Sequence, residues 1–262
     1  MAKIFVSADG SQAEARVAAW KGPVPKLKQW FIDGVDVHLN LTYLIAEIVQ
    51  KNKIILPNNA YARKFPKEYT KEDEERQTSK NCVHANNYEV GKRKFAAMLG
   101  GVPERVAETL QIIYFSILPE IKTGYQAKIA SYLDKNATIV IPPPFNWKRI
   151  FYSYTFGTYK DVDEEVRRKA YAFFAQTTIG CWLINLFNEA SEEGIDVKLQ
   201  AHDSICCVCD DSESAINSVC TTLQKINTTK NVIDIEGEPL VIPLDFKVGY
   251  NYGDMKDYKL VT

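Results

Sequence analysis

Two periodic patterns of apolar residues run along this chain, and each predicts a different kind of element. Apolar residues three or four positions apart are typical of amphipathic helices, which we place at about 11–20, 38–51, 104–117, 120–134, 163–192 and 212–226. Short apolar and β-branched runs are typical of strands, which we place at 3–8, 138–141, 149–154, 197–201, 205–209 and 240–248. Helices clustered in the middle, with strands at both ends and around residue 200, predict an α+β fold.

Glycine, proline and polar residues mark the breaks between these elements. The run Gly22-Pro23-Val24-Pro25 ends the first helix, and Gly180 is a candidate break within the longest one. Residues 52–71 are polar and contain prolines, so we predict a surface loop there. Residues 202–204 separate two apolar strands, and we therefore predict a hairpin tip at that point.

The composition is that of an ordinary globular protein of 262 residues, with 46% hydrophobic and 25% charged residues. A formal net charge of −1 excludes a general basic attraction to nucleic acid, so any such binding must use a local basic groove. No apolar run reaches membrane-spanning length and no signal-peptide pattern opens the chain. We therefore expect no membrane association and a cytoplasmic location, which would be a host cytoplasm for a phage-encoded chain.

Six cysteines are present, and three of them lie in one predicted strand as Cys206, Cys207 and Cys209. No Cys-x2-Cys pair occurs in the sequence. Buried free thiols in a reducing compartment are therefore favoured over a disulfide framework or a zinc site.

A stripe of cationic and ring side chains is predicted on one helix, at about residues 72–88. Its members are spaced four apart, as Arg76, Lys80, His84 and Tyr88. Residues at this spacing lie on neighbouring turns of one helix face. Two fixed cations followed by two rings suit a triphosphate at one end and a sugar and base at the other. The alternative is a solvated helix face on which the spacing is coincidental.

Two aspartates stand where predicted strands end. Asp9 follows the first strand, and Asp203 lies at the predicted hairpin tip. Phosphoryl transfer commonly uses two Mg²⁺ ions about 3.5–4 Å apart, held by carboxylate oxygens on a rigid support. A lone aspartate at either place is usually a turn residue, which is the alternative interpretation.

Three segments, in order along the chain, resemble motifs of the family A, or DNA polymerase I-like, DNA polymerases. Residues 9–16, Asp-Gly-Ser-Gln-Ala-Glu-Ala-Arg, resemble motif A, Asp-Tyr-Ser-Gln-Ile-Glu-Leu-Arg. The stripe from Arg76 to Tyr88 resembles motif B of the fingers helix, Arg-x3-Lys-x3-Phe/Tyr-x3-Tyr. Residues 200–204, Gln-Ala-His-Asp-Ser, resemble motif C, Gln-Val-His-Asp-Glu. Shorter matches at 33–38 and 168–178 extend the resemblance over nearly the whole chain.

The resemblance implies a template-directed DNA polymerase that adds deoxynucleotides to a primer 3′ end by two-metal phosphoryl transfer. The implied fold is an antiparallel palm sheet with a helical fingers subdomain. Residues 1–35 and 151–262 would form the palm, and residues 36–150 the fingers. Primer-template DNA and deoxynucleoside triphosphates would be the partners, and two Mg²⁺ ions the cofactor.

The resemblance also assigns roles to individual residues. Asp9, Asp203 and the carbonyl of Gly10 would hold the metal ions. Lys80, which also belongs to the catalytic set, would grip the triphosphate with Arg76 and His38. Further nucleotide contacts are implied for Gln12, Glu14, His84 and Tyr88, with Glu14 as the steric gate against ribonucleotides and a hydrogen-bond partner of Tyr88. Primer-template contacts are implied for Arg168, Gln176 and His202.

The sequence departs from the family pattern at several positions and in one large respect. The substituted positions are His84, Ala85, Ala172, Phe174 and Ser204, and they put nucleotide choice, fidelity and activity in question. Family members carry an exonuclease-like domain, the thumb and part of the palm before motif A, which here begins nine residues from Met1. We therefore expect a fragment or a split polymerase, of the kind that suits phage-type replisomes, with a partner chain supplying thumb or exonuclease.

Two other functions compete with this interpretation. A replisome scaffold could keep the fold without catalysis, but it would have no physical need for Asp9, Asp203, Arg76, Lys80 and Tyr88 together. A single-subunit RNA polymerase also has Asp-Gly-Ser and His-Asp-Ser in its palm motifs. Glu14 favours the DNA enzymes, because RNA polymerases leave space below the sugar 2′ position.

Overall fold

The computed structural model describes residues 2–152 and 164–260. Two compact units are present. The sheet unit comprises residues 1–17, 140–148 and 174–262, and the helical unit comprises residues 18–139 and 149–173. The palm and fingers boundaries predicted from the sequence stay a prediction. The predicted α+β class is confirmed, because long helices accompany antiparallel sheets.

The strands of the described residues fall into three sheets. They are β1 (Lys3–Gly10), β2 (Thr138–Val140), β3 (Lys148–Ile150), β4 (Asp196–Ala201), β5 (Ser204–Asp210), β6 (Ile233–Ile235), β7 (Glu238–Leu240), β8 (Leu244–Gly249) and β9 (Lys256–Tyr258). The largest sheet has the order β4-β5-β1-β8-β9, and all its neighbours are antiparallel. Strand β2 pairs with β3, and β6 pairs with β7. Strand β1 therefore lies at the centre of the largest sheet.

Helices of the described residues occur in both units. They are α1 (Ala13–Lys21), α2 (Pro25–Ile32), α3 (Val37–Lys51), α4 (Glu74–Asn87), α5 (Lys92–Met98), α6 (Glu104–Ile117), α7 (Ala127–Asn136), α8 (Glu164–Glu192) and α9 (Glu213–Thr229). A π-helical turn, Ile121–Gln126, leads directly into α7. In the helical unit, α4 packs against both α3 and α6. Helix α4 is thus supported from two sides.

Alternation along β1 divides the central sheet into a buried face and a face that presents polar groups. Ile4, Val6 and Ala8 are buried, and α9 packs against β1 and β5 in the sheet unit. Because side chains alternate along a strand, Asp9 must point away from the face that Ala8 occupies. The same alternation holds in β8, where Leu244 and Phe246 are buried and Asp245 is exposed.

Helix α8 is long and apolar enough to cross a membrane, with a mean hydropathy of 1.2 over its best window. Half of that window is buried inside the protein, and Trp182, Leu183 and Leu186 are completely inaccessible. The core helix of a water-soluble protein passes the same test. Within the sheet unit, this burial is that of a core helix.

Two helices, α2 and α5, were missed by the sequence patterns. Helix α2 begins at Pro25, which the sequence analysis took only as a breaker; proline suits the first helical turn because no backbone N–H is needed there. Leu27 and Phe31, four residues apart, are buried beneath it. The helix ends at Ile32, and Gly34, with a φ of 67°, closes the turn that follows. Helix α5 is only seven residues long, too short for its periodicity to be read.

Four further expectations need correction. Helix α8 runs through Gly180 without a break, since one glycine in a long helix costs only about 1 kcal/mol. The predicted strand at 240–248 is two strands, because Pro243 between them cannot donate to a ladder. The loop at 52–71 contains two short 3₁₀ turns and buries Tyr61 and Tyr69. Helix α4 begins at Glu74 and ends before Tyr88.

Candidate active site

The two aspartates predicted to hold metal ions come together in the sheet unit. Asp9 lies near the end of β1, opposite Ser204 in the antiparallel register with β5. Asp203 occupies the turn between β4 and β5, and its carbonyl oxygen accepts a 2.9 Å hydrogen bond from the backbone N–H of Gly10. The hairpin tip is therefore attached to the end of β1, and this brings the two carboxylates side by side.

A third carboxylate, Asp245, was missed by the sequence analysis. It lies opposite Asp9 on the other side of β1, in the register of β8. The predicted last strand already contained a signal, because the alternation of Leu244 and Phe246 places Asp245 on the opposite face. What the sequence could not give is the register that makes Asp245 the partner of Asp9.

Charge repulsion and burial both act on Asp9. Its pKa is raised from 3.8 to about 6, first by burial and then by the charges of Asp203 and Asp245. A side-chain hydrogen bond with Asp203 raises the pKa further, while Lys247 lowers it. The folded chain thus disfavours a negative charge on Asp9 unless a cation balances it.

The donor atoms at this point suit a hard divalent cation. Asp9 and Asp203 offer carboxylate oxygens and Gly10 a main-chain carbonyl, the ligand type that Mg²⁺ prefers. A bound cation would also relieve the repulsion that raises the pKa of Asp9. Within residues 2–152 and 164–260, however, no three His, Cys, Asp or Glu side chains are grouped as a metal site. The assignment of Asp9, Asp203 and the Gly10 carbonyl as metal ligands therefore stays a prediction.

The turn that follows these residues is held tightly. Ser11 donates its backbone N–H to the carbonyl of Pro243 at 2.9 Å, and Arg16 Nε donates to the carbonyl of Ser11 at 2.9 Å. Gln12 has a φ of 51°, in the left-handed region that favours glycine. Glu14, the predicted steric gate, lies in the first turn of α1 and is half-buried.

In the helical unit, α4 carries the predicted cations, and one of them already has an anionic partner. Arg76 donates to Asp36 Oδ2 at 2.7 Å, and both side chains are largely buried. Asp36 also caps α3 by accepting from the backbone N–H of Leu39 at 2.9 Å. Burial acts to raise the pKa of Asp36, but the hydrogen bonds from Arg76 and Leu39, together with the nearby charges of Arg76 and His38, leave it lowered. Arg76 Nε is buried and has no hydrogen-bond partner in the part of the chain that the structure describes.

A buried imidazole, that of His38, lies near the cations Arg76 and Lys80. The rings of His38 and His84 lie 6.3 Å apart between centroids. Burial, followed by the nearby His84, Arg76 and Lys80, lowers the pKa of His38 to about 3, and Asp36 opposes this effect. His38 is therefore neutral at physiological pH. Its Nδ1 finds no hydrogen-bond partner within the described ranges. We name Asp36, His38, Arg76, Lys80 and His84 the cation cluster.

The other predicted residues occupy varied settings. Tyr88 is the first residue beyond α4 and is buried, so it does not extend the stripe on the helix surface. Arg168 donates from Nε to the carbonyl of Glu89 at 2.8 Å and from a terminal nitrogen to Glu164 at 2.6 Å. Gln176 on α8 and His202 at the β4–β5 turn are exposed. None of these positions tests the role that the resemblance assigned.

Comparison with known proteins shows the fold. No protein-family model and no curated protein matches this chain. Solved structures do match, among them the POL domain of Pol1 from M. smegmatis in complex with DNA primer-template and dNTP. The TM-score is 0.66 at 18% identity, over 95% of this chain and 39% of that chain. The chain therefore has the fold of a DNA polymerase domain and spans well under half of the chain that it matches.

Proposed function

We propose that this chain is the palm and fingers portion of a template-directed DNA polymerase. The sheet unit would be the palm, and the helical unit would be the fingers. The substrates would be a primer-template and deoxynucleoside triphosphates, the molecules present in the matched M. smegmatis complex. The reaction would join a nucleotide to the primer 3′ oxygen with release of pyrophosphate.

The observation that carries the proposal is the meeting of Asp9 and Asp203 at the end of β1. The two residues come from distant parts of the chain, and the Gly10–Asp203 hydrogen bond fixes their approach. Burial and like charge raise the pKa of Asp9, a feature that clusters at functional sites. A fold without catalysis would gain nothing from this arrangement, because like charges side by side destabilise it.

The chain's own residues would act as follows. Asp9, Asp203 and the Gly10 carbonyl would hold divalent cations, which when bound would supply charge stabilisation for phosphoryl transfer. Lys80 and Arg76 would orient the triphosphate through charge-assisted hydrogen bonds. Neutral His38 would donate one hydrogen bond to the triphosphate without adding charge. Glu14 would lie below the sugar and exclude a 2′-hydroxyl.

Primer extension with single carboxylate variants tests the proposal. A labelled primer-template, four deoxynucleotides and Mg²⁺ are incubated with the chain, with and without its co-purifying proteins. Asp9→Asn and Asp203→Asn should each lower the rate by about a thousandfold, since about 4 kcal/mol of transition-state stabilisation is lost. Their unfolding transitions should be intact, because the substitutions also remove repulsion.

Asp210→Asn is the matched control. Asp210 belongs to β5 and pairs at the surface with Lys3 at 2.9 Å, so its loss should change the rate by less than about twofold. Near-normal extension by Asp9→Asn or Asp203→Asn would refute the assignment. If neither the variants nor the unmutated chain extend the primer, with or without partners, the non-catalytic scaffold is favoured. The partner chain that carries a thumb or exonuclease stays a prediction.

A further inference from the structure

We propose that Trp182 is a positioning residue that sets the place of Gly10, and through it the metal-binding groups of Asp9. This inference rests on the proposed function. It concerns a residue of α8 that no motif singled out. Gly10 has no side chain, and this leaves room for the large indole of Trp182. We call these two residues the steric pair.

The first observation is the close approach of the indole to Gly10. A Cβ atom added at Gly10 would lie 3.0 Å from Cζ3 and 3.1 Å from Cη2 of Trp182. Carbon atoms in ordinary contact are about 3.5–4.0 Å apart. Any side chain at position 10 would therefore require Trp182 to shift by a few tenths of an ångström. The φ of Gly10 lies outside the left-handed region, so the requirement comes from space and not from backbone conformation.

The second observation is that the indole cannot easily move away. Trp182 is completely buried, and its Nε1 donates to Asn227 Oδ1 at 3.2 Å. Asn227 is itself fully buried and donates to the carbonyl of Ile242 at 2.7 Å. The backbone carbonyl of Trp182 accepts a 3.1 Å hydrogen bond from Asn231. The ring is therefore fixed by a polar network as well as by packing.

The same network reaches the segment that borders the carboxylates. Ile242 also lies 3.4 Å from the Cβ position of Gly10, and the next residue, Pro243, accepts the hydrogen bond from Ser11. On its other side, Gly10 donates to the carbonyl of Asp203. Gly10 is thus held between the indole, the 242–243 segment and the hairpin tip. Movement of the indole should be transmitted to the Gly10 carbonyl and to Asp9.

A double-mutant cycle tests the steric pair. Gly10→Ala pushes the new methyl against the fixed ring, and Trp182→Phe removes the ring atoms that it would meet. Each single variant should weaken Mn²⁺ binding, measured by electron paramagnetic resonance, and Gly10→Ala should do so by about tenfold because small misplacements of this kind are costly. The double variant should bind Mn²⁺ better than Gly10→Ala does, since the methyl fills the space left by the shorter ring.

Steady-state kinetics separates positioning from general damage. Gly10→Ala should lower kcat by about tenfold and change the KM for nucleotide by less than about twofold, since the nucleotide grip is assigned elsewhere. The double variant should recover part of kcat. Trp147→Phe, an exposed tryptophan of the sheet unit, is the control and should change none of these quantities.

Additive effects in the cycle, or a Gly10→Ala variant with unchanged Mn²⁺ affinity, would overturn the proposal. Urea unfolding of all four proteins shows whether each is folded, and an unfolded Gly10→Ala that Trp182→Phe refolds supports the pair. Mn²⁺ binding and unfolding require no polymerase activity. If Asp9→Asn keeps full activity, the proposed function fails, while the cycle still reports on Trp182.

Discussion

The carboxylates of the sheet unit and the cation cluster of the helical unit are opposite in charge and alike in construction. The first places carboxylates together, the second places Arg76 and Lys80 near a buried imidazole, and each shifts the pKa of a central residue away from its charged form. The pKa of Asp9 is raised to about 6, and the pKa of His38 is lowered to about 3. Such an arrangement is costly alone and becomes favourable when an ion of opposite sign arrives.

The two places differ in how the charge is balanced within the protein. Arg76 is already paired with Asp36 at 2.7 Å, so part of the cation cluster is neutralised internally. In the sheet unit the third carboxylate, Asp245, adds negative charge, and the nearby cations Lys247 and Arg16 still leave the pKa of Asp9 raised. We infer that the carboxylates depend more strongly on an external ion. The cation cluster retains one cation, Lys80, that no described residue binds through a hydrogen bond or an ion pair.

Within the cation cluster, the largest expected effect comes from removing Lys80. Lys80→Ala should lower kcat/KM for nucleotide by about 100-fold, because a charge-assisted contact to phosphate is worth up to about 3 kcal/mol. Arg76→Ala should cost only about tenfold, since Asp36 shares its charge. Single-turnover incorporation at varied nucleotide concentration measures both.

Primer-template affinity is the decisive companion measurement. It should remain unchanged in both variants, and Lys94→Ala, an exposed lysine on α5, should match the unmutated chain throughout. A collapse of DNA affinity on loss of Lys80 would mean that α4 contacts the duplex. The proposed contrast between metal binding by the carboxylates and triphosphate binding by the cation cluster would then be lost.

The second prediction concerns Gly124, whose substitution should disturb the backbone that supports the cation cluster and leave the carboxylates unchanged. A Cβ at Gly124 would lie 1.9 Å from the carbonyl oxygen of Gly22, which the backbone cannot accept without moving. Two residues on, Gln126 donates to the carbonyl of Asn86 at 2.7 Å, at the end of α4. Gly124→Ala should destabilise the protein by about 2 kcal/mol.

Its control is a glycine with open space. Gly180 lies within α8, and nothing lies within 4 Å of its Cβ position, so Gly180→Ala should stabilise by about 0.5–1 kcal/mol. Urea unfolding measures both changes. Mn²⁺ binding should be unaffected in a folded Gly124→Ala variant. Equal stability of the two variants would show that the backbone at Gly22 and Gly124 moves apart at little cost in free energy.

The third prediction uses pH. A histidine whose pKa falls from 6.5 to about 3 on folding binds fewer protons when folded, so its contribution to stability is full above pH 6.5. That contribution declines as pH falls through this range, with a slope approaching about 1.4 kcal/mol per pH unit. His38→Gln should flatten the dependence of the unfolding free energy between pH 7 and pH 5. An unchanged slope would mean that His38 is not held neutral.

How far sequence could predict this site depends on the kind of information each residue carries. Asp9, Asp203 and the α4 cations lie in contiguous motifs or at fixed helical spacing, and the structure brings the two aspartates together as expected. Asp245 depends on strand register and Trp182 on packing against an absent side chain. Neither leaves a local pattern, because both arise from contacts between distant parts of the chain.

The pairing of Arg76 with Asp36 was missed for the same reason. Asp36 lies forty positions before Arg76, and the helical spacing alone predicts that both cations of the stripe are available for phosphate. The short helix α2 was missed because its starting proline resembles a breaker. Long amphipathic elements such as α6, by contrast, were predicted to the residue, since fourteen residues supply enough turns for the period to be clear.

The smallest expected effect concerns two residues with a left-handed backbone, one beside the carboxylates and one at the end of α4. Gln12 follows the carboxylate strand with a φ of 51°, and Glu89 follows α4 with a φ of 54°. At Glu89 the bonds Val90 N–H to Ala85 and Glu89 N–H to Asn86 form a Schellman motif, a helix end that favours glycine. Removing a left-handed strain of about 1–2 kcal/mol outweighs the added freedom of the unfolded chain, about 0.4–1 kcal/mol.

Gln12→Gly and Glu89→Gly should therefore each stabilise the fold by about 0.5 kcal/mol relative to Gln12→Ala and Glu89→Ala. The alanine variants keep the strain while removing the same side chain, so this difference isolates the backbone. The carbonyl of Glu89 that accepts from Arg168 is retained in all variants. Urea unfolding of the four proteins decides the matter. If glycine stabilises the fold at position 89 and not at position 12, contacts outside residue 12 impose the left-handed conformation of Gln12. The Ser11–Pro243 hydrogen bond is the contact that would do so.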